Sequence, residues 1–276
     1  MITPLNNPIP LLTIAGSDSG GAAGLQADLK TWTALGAYGM SAITAVTAQN
    51  SARVVAVHYL PPEFVAAQID AVLSDYGAAA IKTGFLGRVA IIEAVAERLA
   101  HWRDSAPPDK PIALVVDPVL VNHRGEAMFG PEVVAAYRDR LLPLADLITP
   151  NVAEASLLWG NASDGPRTIA DALALVRRLP SAVLLKGLRR DNAIIDLHWD
   201  GHDARELSRP RIDTANTHGS GDTLSAAICA FHGRGHNWIE AIELACAFTH
   251  AAIRRGANWR LGAGHGPLGH MTGAEE

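Results

Sequence analysis

With 276 residues, 49% of them hydrophobic and 18% charged, the chain can bury a large core without disulfide or metal staples, which excludes small cross-linked scaffolds and disordered polypeptides. The net charge of −5 comes with no run of Lys or Arg, so the electrostatic footprint of a nucleic-acid binder is missing and a small-molecule partner is favoured. No apolar stretch approaches the ~20 residues of a membrane span, and the opening MITPLNNPIP lacks the positive and apolar regions of a signal peptide. A cytoplasmic location is expected.

Short Val/Ile/Leu runs alternate with segments of helical period, the pattern of βα units around a mostly parallel sheet. A strand at 11–15 leads to a helix at 25–35, a strand at 41–47, a helix at 62–74, a strand at 79–82 and a helix at 88–102. A strand at 112–116, a helix at 131–141, a strand at 145–148, helices at 152–159 and 168–179 and a strand at 182–185 follow. The alternating runs VVAVHY and IIDLHW read as antiparallel strands at an edge or in a hairpin. Helices at 221–233 and 238–255 close the series, and SAPPDKP near 108 and NASDGPRT near 164 read as surface loops. Neither loop divides the chain, so residues 1–276 are expected to form a single domain, with 1–10 and 271–276 as loosely ordered termini. Cys229 and Cys246 lie in apolar helical pattern and read as buried thiols.

Polar residues gather after the strands: Asp18, Gln49, Lys82 with Gly84, Asp117, Asn151 and Lys186 each fall near a strand's C-terminal end. In an open parallel sheet those ends form one rim, beside which ligands bind. Near the C-terminus, TANTHGSGDTLSAAICAF runs through Gly219, Ser220 and Gly221 into an apolar helix. Converging backbone N–H groups and a helix start make this a candidate phosphate cradle. Asp222 sits beside it, either capping the helix or taking a proton from an attacking hydroxyl.

The first loop, AGSDSGGAAGLQADLK, fits neither GxGxxG nor a P-loop. Its Asp28 is either a solvated dipole partner or a ligand for a substrate amine. Asn151 and Glu154 have capping-box spacing; the rival reading turns Glu154 to the rim to hold Mg²⁺ through water. Lys186 ends a buried strand and needs an anionic partner, which ATP phosphates would supply. The histidines show no metal-ligand spacing, and the pairs His232/His236 and His265/His270 read as surface or turn residues.

On these residues the chain resembles the hydroxymethylpyrimidine and phosphomethylpyrimidine kinases of thiamine biosynthesis, in the ribokinase-like superfamily. The strings LTIAGSDSGGAAGLQADLKTWTALGAYGMSAITAVTAQN, KTGFLG, VVDPVLV, LLPLADLITPNVAEA, VLLKG, NTHGSGDTLSAAI and GHGPLGH carry the likeness over nearly the whole chain. The resemblance implies a ribokinase-like α/β fold, a mostly parallel sheet with helices on both faces, usually as a homodimer. It implies ATP and Mg²⁺ as cofactors, and phosphorylation of 4-amino-5-hydroxymethyl-2-methylpyrimidine and then of its monophosphate. Asp28 and Gln49 would bind the pyrimidine's amino group and ring nitrogens, and Gly16 and the backbone near Val46 would line the same pocket. Asp117, Asn151, Glu154 and Lys186 would serve ATP and magnesium, with Asp117 and Glu154 nearest the metal. Gly219, Ser220 and Gly221 would form the anion hole and Asp222 the base.

The chain departs from the family at four places. Asp222 stands where close relatives commonly carry Cys, and Phe85, near the pyrimidine, where Met is frequent. His123-Arg124 replaces a Lys-Ser pair in the flexible segment after Asp117, and Ala22 replaces a glycine. Asp222 also suits a pyridoxal kinase, which relative kcat/KM on the two substrates separates. A silent pyrimidine-binding sensor would need the pocket without Asp222, Lys186 and the glycine cradle.

Overall fold

The computed structural model describes residues 7–159, 166, 168–179 and 181–271. Nine strands form one sheet in the order β3-β2-β1-β4-β5-β6-β7-β8-β9. They are β1 Pro10–Ser17, β2 Tyr38–Gln49, β3 Val54–Tyr59, β4 Ala80–Thr83, β5 Ala113–Val116, β6 Leu147–Ile148, β7 Ala182–Arg190, β8 Ala193–Trp199 and β9 Ala204–Pro210. Strands β2, β1, β4, β5, β6 and β7 are mutually parallel, while β3, β8 and β9 join antiparallel at the two sides. The helices are α1 Gly24–Ala34, α2 Pro62–Asp75, α3 Val89–Asp104, α4 Pro131–Ala136, α5 Val152–Trp159, α6 Ile169–Val176, α7 Ser220–Gly233 and α8 Trp238–Gly256.

Because side chains alternate across a strand, the parallel strands feed two cores. On one face Leu12, Ile14, Ile81, Leu114, Val116 and Ile148 pack with the α2 to α6 side. On the other, Leu11, Ala80, Val115 and Leu147 meet α1, α7 and α8. Covered on both sides, these strands carry almost no charge, which accounts for the low charged fraction. Helix α7 lies deepest: every residue from Thr223 to Ala230 is buried. The fully buried Trp32 of α1 fastens to it, its Nε1 donating to the Ala226 carbonyl at 2.8 Å.

Most elements fall where the hydrophobic period places them, and the differences have physical causes. The helix expected at 131–141 is α-helical only to Ala136 and continues as a π-turn over Tyr137–Leu141. Strand β9, ARELSRP, has no apolar period to announce it and forms because β8 offers a free backbone edge. Of residues 1–10, for which a loose terminus is the expectation, 1–6 lie outside the described residues, while Pro10 opens β1 and the Ile9 carbonyl accepts from Tyr38 N at 2.9 Å. The loop near 164 and the last five residues lie largely outside the described residues, but Thr168 closes a capping box with Asp171 at the start of α6. Both cysteines are buried and free, as their apolar setting implied.

Trp32→Ala should destabilise the fold by about 3–5 kcal/mol in urea melts, because it empties a fully buried site. Trp32→Phe, which keeps a ring but drops the donor, should cost about 1–2 kcal/mol.

Candidate active site

Past the strand ends the parallel ladder continues bond by bond: Gly84 N to Ile14 O, Asp117 N to Thr83 O, Thr149 N to Val116 O and Lys186 N to Pro150 O, all at 2.9–3.1 Å. This stitching puts the residues after β1, β4, β5 and β6 on one rim with Lys186 of β7, and α7 begins beside them.

At the centre is Lys82 of β4, fully buried. Its Nζ donates to Asp28 Oδ1 at 2.7 Å and to Asp222 Oδ1 at 2.9 Å, while Thr13 Oγ1 donates to Asp28 Oδ2 at 2.6 Å. Burial alone would strip the lysine of its proton, but the carboxylates of Asp222 and Asp28 more than offset it and hold the ammonium charged. One cation between two carboxylates leaves an uneven pair. Burial pushes Asp28 up to about 7, against the pull of Lys82. At Asp222 burial also pushes upward, but Lys82, the Gly24 amide and Lys186 hold its carboxyl below the usual range. Asp222 is the member with solvent access, 15% of its side chain being exposed against none for Asp28.

A second charged group lies alongside. Lys186 Nζ donates to Asp117 Oδ1 at 2.9 Å, and Ser225 Oγ of α7 donates to Asp117 Oδ2 at 3.1 Å. Asn151 and Glu154 do form the capping box: Glu154 N donates to Asn151 Oδ1, and Asn151 N to Glu154 Oε2, both at 2.9 Å. Glu154 is also buried at the rim, so the two readings of it are compatible. Burial first, with Asp117 adding and Lys186 opposing, pushes its carboxyl up to about 8.

The third part is the cradle. Gly219 caps α7 in the left-handed region at φ 82°, and a Cβ there would collide with the Ala22 carbonyl, so only glycine lets the two loops meet. Asp18 ties the facing loop by accepting from the amides of Gly20, Ala22 and Ala23 at 2.8–3.0 Å. Ser220 N–H turns back to the Thr217 carbonyl; the amides of Gly219, Gly221 and Asp222 have no acceptor among the described residues. Gly221 packs against Lys186 and Asp117, with room for a Cβ only at 3.3 Å from Lys186 Nζ. Gln49 closes this side, its amide 3.2 Å from His218 Nε2. Phe85 lies over Gly16, where a Cβ would come to 3.0 Å from its ring, and stacks with Tyr59 at 6.1 Å. Val46 pairs opposite Ser17 with its side chain exposed.

Asp28 needs correction as a substrate ligand: it is fully buried and both its oxygens are occupied by Thr13 and Lys82. Ser220 needs correction as an amide donor, since its N–H is used within the turn. His270 is no surface residue; it is buried against Thr223 Oγ1 at 2.8 Å, and burial pushes it down to about 4. His265 is half-buried on Thr217 Oγ1 at 2.7 Å. Sequence reasoning put Lys82 on the rim but gave it no role, although AAAIKTG shows the same sign as VLLKG, a lysine closing an apolar strand.

A parallel-sheet rim with a glycine amide cradle, one fully buried and one partly buried lysine and an aspartate at a helix start defines a ribokinase-like small-molecule kinase. The chain belongs to the phosphomethylpyrimidine kinase family, whose model matches residues 18–269. It is 46% identical over 264 residues to the hydroxymethylpyrimidine/phosphomethylpyrimidine kinase of Rhizobium meliloti, covering 94% of this chain and 96% of that protein. Against the longer thiamine biosynthetic bifunctional enzyme of Arabidopsis thaliana, 42% identical, the chain spans 51% of its relative's length. Among solved structures it superposes on the ADP complex of Bacillus subtilis pyridoxal kinase with a TM-score of 0.85 at 36% identity, covering 96% of this chain and 98% of that one. On the phosphomethylpyrimidine kinase of Clostridium difficile the TM-score is 0.75 at 35% identity, covering 89% of this chain and 99% of that one.

The raised pKa of Glu154 implies a pH dependence. A carboxyl whose folded value exceeds its unfolded one stabilises fully below the unfolded value, and loses that contribution as pH rises through the folded value. Between pH 5 and 8 the wild type should therefore lose more stability than Glu154→Gln, by up to about 1 kcal/mol per pH unit. Urea midpoints of both proteins at several pH values check this; parallel curves would disprove it.

Proposed function

We propose that the chain transfers the γ-phosphoryl group of ATP to the hydroxymethyl oxygen of 4-amino-5-hydroxymethyl-2-methylpyrimidine, and in a second turnover to the resulting monophosphate, yielding the pyrophosphate for thiamine biosynthesis. The observation that carries this reading is Asp222, held ionised by Lys82 at the start of α7 and flanked by the Gly219 and Gly221 amides, in a chain of this kinase family. Gly16, Gln49, Phe85 and the backbone at Val46 would hold the pyrimidine; Asp28 acts one layer behind, by fixing Lys82.

The low basicity of Asp222 bears on its role. A carboxylate paired with an ammonium does not strip a hydroxyl in the ground state. It orients the hydroxyl and takes its proton as bonding to phosphorus makes that proton acidic, which suits a loose phosphoryl-transfer transition state. The amides of the cradle and Lys186 would stabilise the phosphoryl oxygens, while Asp117 and Asn151 order the donor side of the rim.

Mg²⁺ fits the same place. Asp117 and Glu154 are hard oxygen donors, and the raised pKa of Glu154, due partly to Asp117, marks a spot where an added cation would relieve repulsion. One or two carboxylates with phosphates and water are what this ion requires. When bound it would neutralise and orient the donor's phosphates.

The pyridoxal kinase likeness favours a second reading, in which pyridoxal takes the acceptor pocket. No helix among the described residues is long and apolar enough to cross a membrane, which is compatible with the cytoplasmic site proposed here. The homodimer is proposed on β3: its valines Val54, Val55 and Val57 are exposed along an outer strand, a surface that pairing with a second copy would cover.

ADP release with hydroxymethylpyrimidine should exceed that with pyridoxal in kcat/KM; no release above background with the pyrimidine would refute the assignment. Asp222→Asn should lower kcat on hydroxymethylpyrimidine by about 10²–10⁴-fold with KM for ATP little changed, and full activity would remove its role. Val55→Glu should convert a sedimenting dimer to monomer.

A further inference from the structure

A hairpin closed by the Val121–Ala127 bridge carries His123 and Arg124, to which the mechanism above gives no role. Asn122 builds its turn, its Oδ1 accepting from the amides of Arg124 and Glu126 at 2.8 and 3.1 Å, and both His123 and Arg124 are exposed. The His123 ring centre lies 5.8 Å from that of His265, and the His265 centre lies 5.3 Å from that of His218. Three loops distant in sequence thus bring three imidazoles together, next to Gln49 and one residue ahead of the Gly219 cap. Among the described residues, His265 Nδ1 is buried without a hydrogen-bond partner.

The charges of the site leave a need that this group can meet. A monophosphate acceptor brings close to two negative charges beside the donor's phosphates, near Asp222, Asp117 and Glu154. Lys82 is engaged by Asp28 and Asp222, Lys186 by Asp117, and Lys30 by the Gly21 carbonyl. The opposing carboxylates around the imidazoles are already occupied. Asp18, 3.7 Å from His218 Nε2, accepts three backbone amides, and Glu126 accepts from Asn122 Nδ2 at 2.7 Å. Without a ligand, burial, His218 and His123 all disfavour a proton on His265. A phosphate dianion supplies the missing countercharge.

We propose that Arg124, His123, His265 and His218 form a subsite for the phosphate of a phosphate-monoester acceptor, used in the second transfer and not in the first. The proposal rests on the two-step kinase reading above. In that second step an acceptor phosphate oxygen forms a bond to the γ-phosphorus, the bond from that phosphorus to the bridging oxygen breaks, and ADP leaves. The attacking oxygen is already anionic, so its placement, rather than removal of a proton, is what the protein must provide.

The test supplies hydroxymethylpyrimidine and its monophosphate separately, at saturating ATP, and measures ADP release by the wild type, a His123→Gln/Arg124→Gln double variant and His265→Asn. The variants should lose at least tenfold in kcat/KM on the monophosphate, mostly through KM, while staying within twofold on the unphosphorylated alcohol and keeping the wild-type Tm. Arg124→Lys, which keeps the charge, should retain more monophosphate activity than Arg124→Gln. Equal losses on both acceptors, or no loss on the monophosphate, would overturn the subsite. A wild type active on the alcohol but not on its monophosphate would overturn it while leaving the first transfer standing; one inactive on both would remove the kinase reading and the subsite with it.

Discussion

The ammonium of Lys82 is the charge around which the site is arranged. It lies fully buried in a central strand, within 2.9 Å of carboxylates from α1 and α7. Removing a cation from water is costly unless it is paired and hydrogen-bonded, so the lysine needs both aspartates and each aspartate needs the lysine. The contact joins β4, the helix after β1 and the start of α7, and Thr13 of β1 secures the far oxygen of Asp28. A carboxylate beside a phosphate site would be repelled if it stood alone. Asp222 can stay there, ionised, because Lys82 is behind it.

The same logic recurs farther along the rim, at lower burial. Lys186 and Asp117 pair at 2.9 Å, Ser225 of α7 supplies a further donor, and Glu154 is drawn in through its capping box. Both lysines end or lie in apolar strands and both are answered by carboxylates across the rim. The sheet supplies the reason: strands covered on both faces leave charged side chains nowhere to go except the ends, where α7 and the loops after β1 and β5 close over them. The low charge content of the chain and the concentration of charge at its rim are one constraint seen at two scales.

The order of the βα units was legible in the sequence because it depends on local period: apolar runs and helical stripes are written in neighbouring residues. Most of the rim was legible too, since a polar residue directly after a buried strand has one place to be, and Asp117, Asn151, Lys186 and the Gly219–Gly221 turn all lie there. What escaped were pairings between distant segments. Asp28 reads from its helix as either a solvated dipole partner or a substrate ligand, and only the approach of β4 shows that Lys82 occupies it. His265 and His270 read as surface or turn residues, yet one is half-buried beside His218 and His123 and the other is buried against Thr223. Strand β9, nearly all polar, is specified by the open edge of β8 rather than by its own side chains.

The sequence by itself therefore determined the fold class, the single rim and the glycine cradle, because periodicity, strand ends and a residue without a Cβ are local properties. The tertiary structure decided which charges answer one another. Electrostatic partnership is a matter of distance in space, and residues 28, 82 and 222 are brought within hydrogen-bond reach only when the sheet and its helices pack.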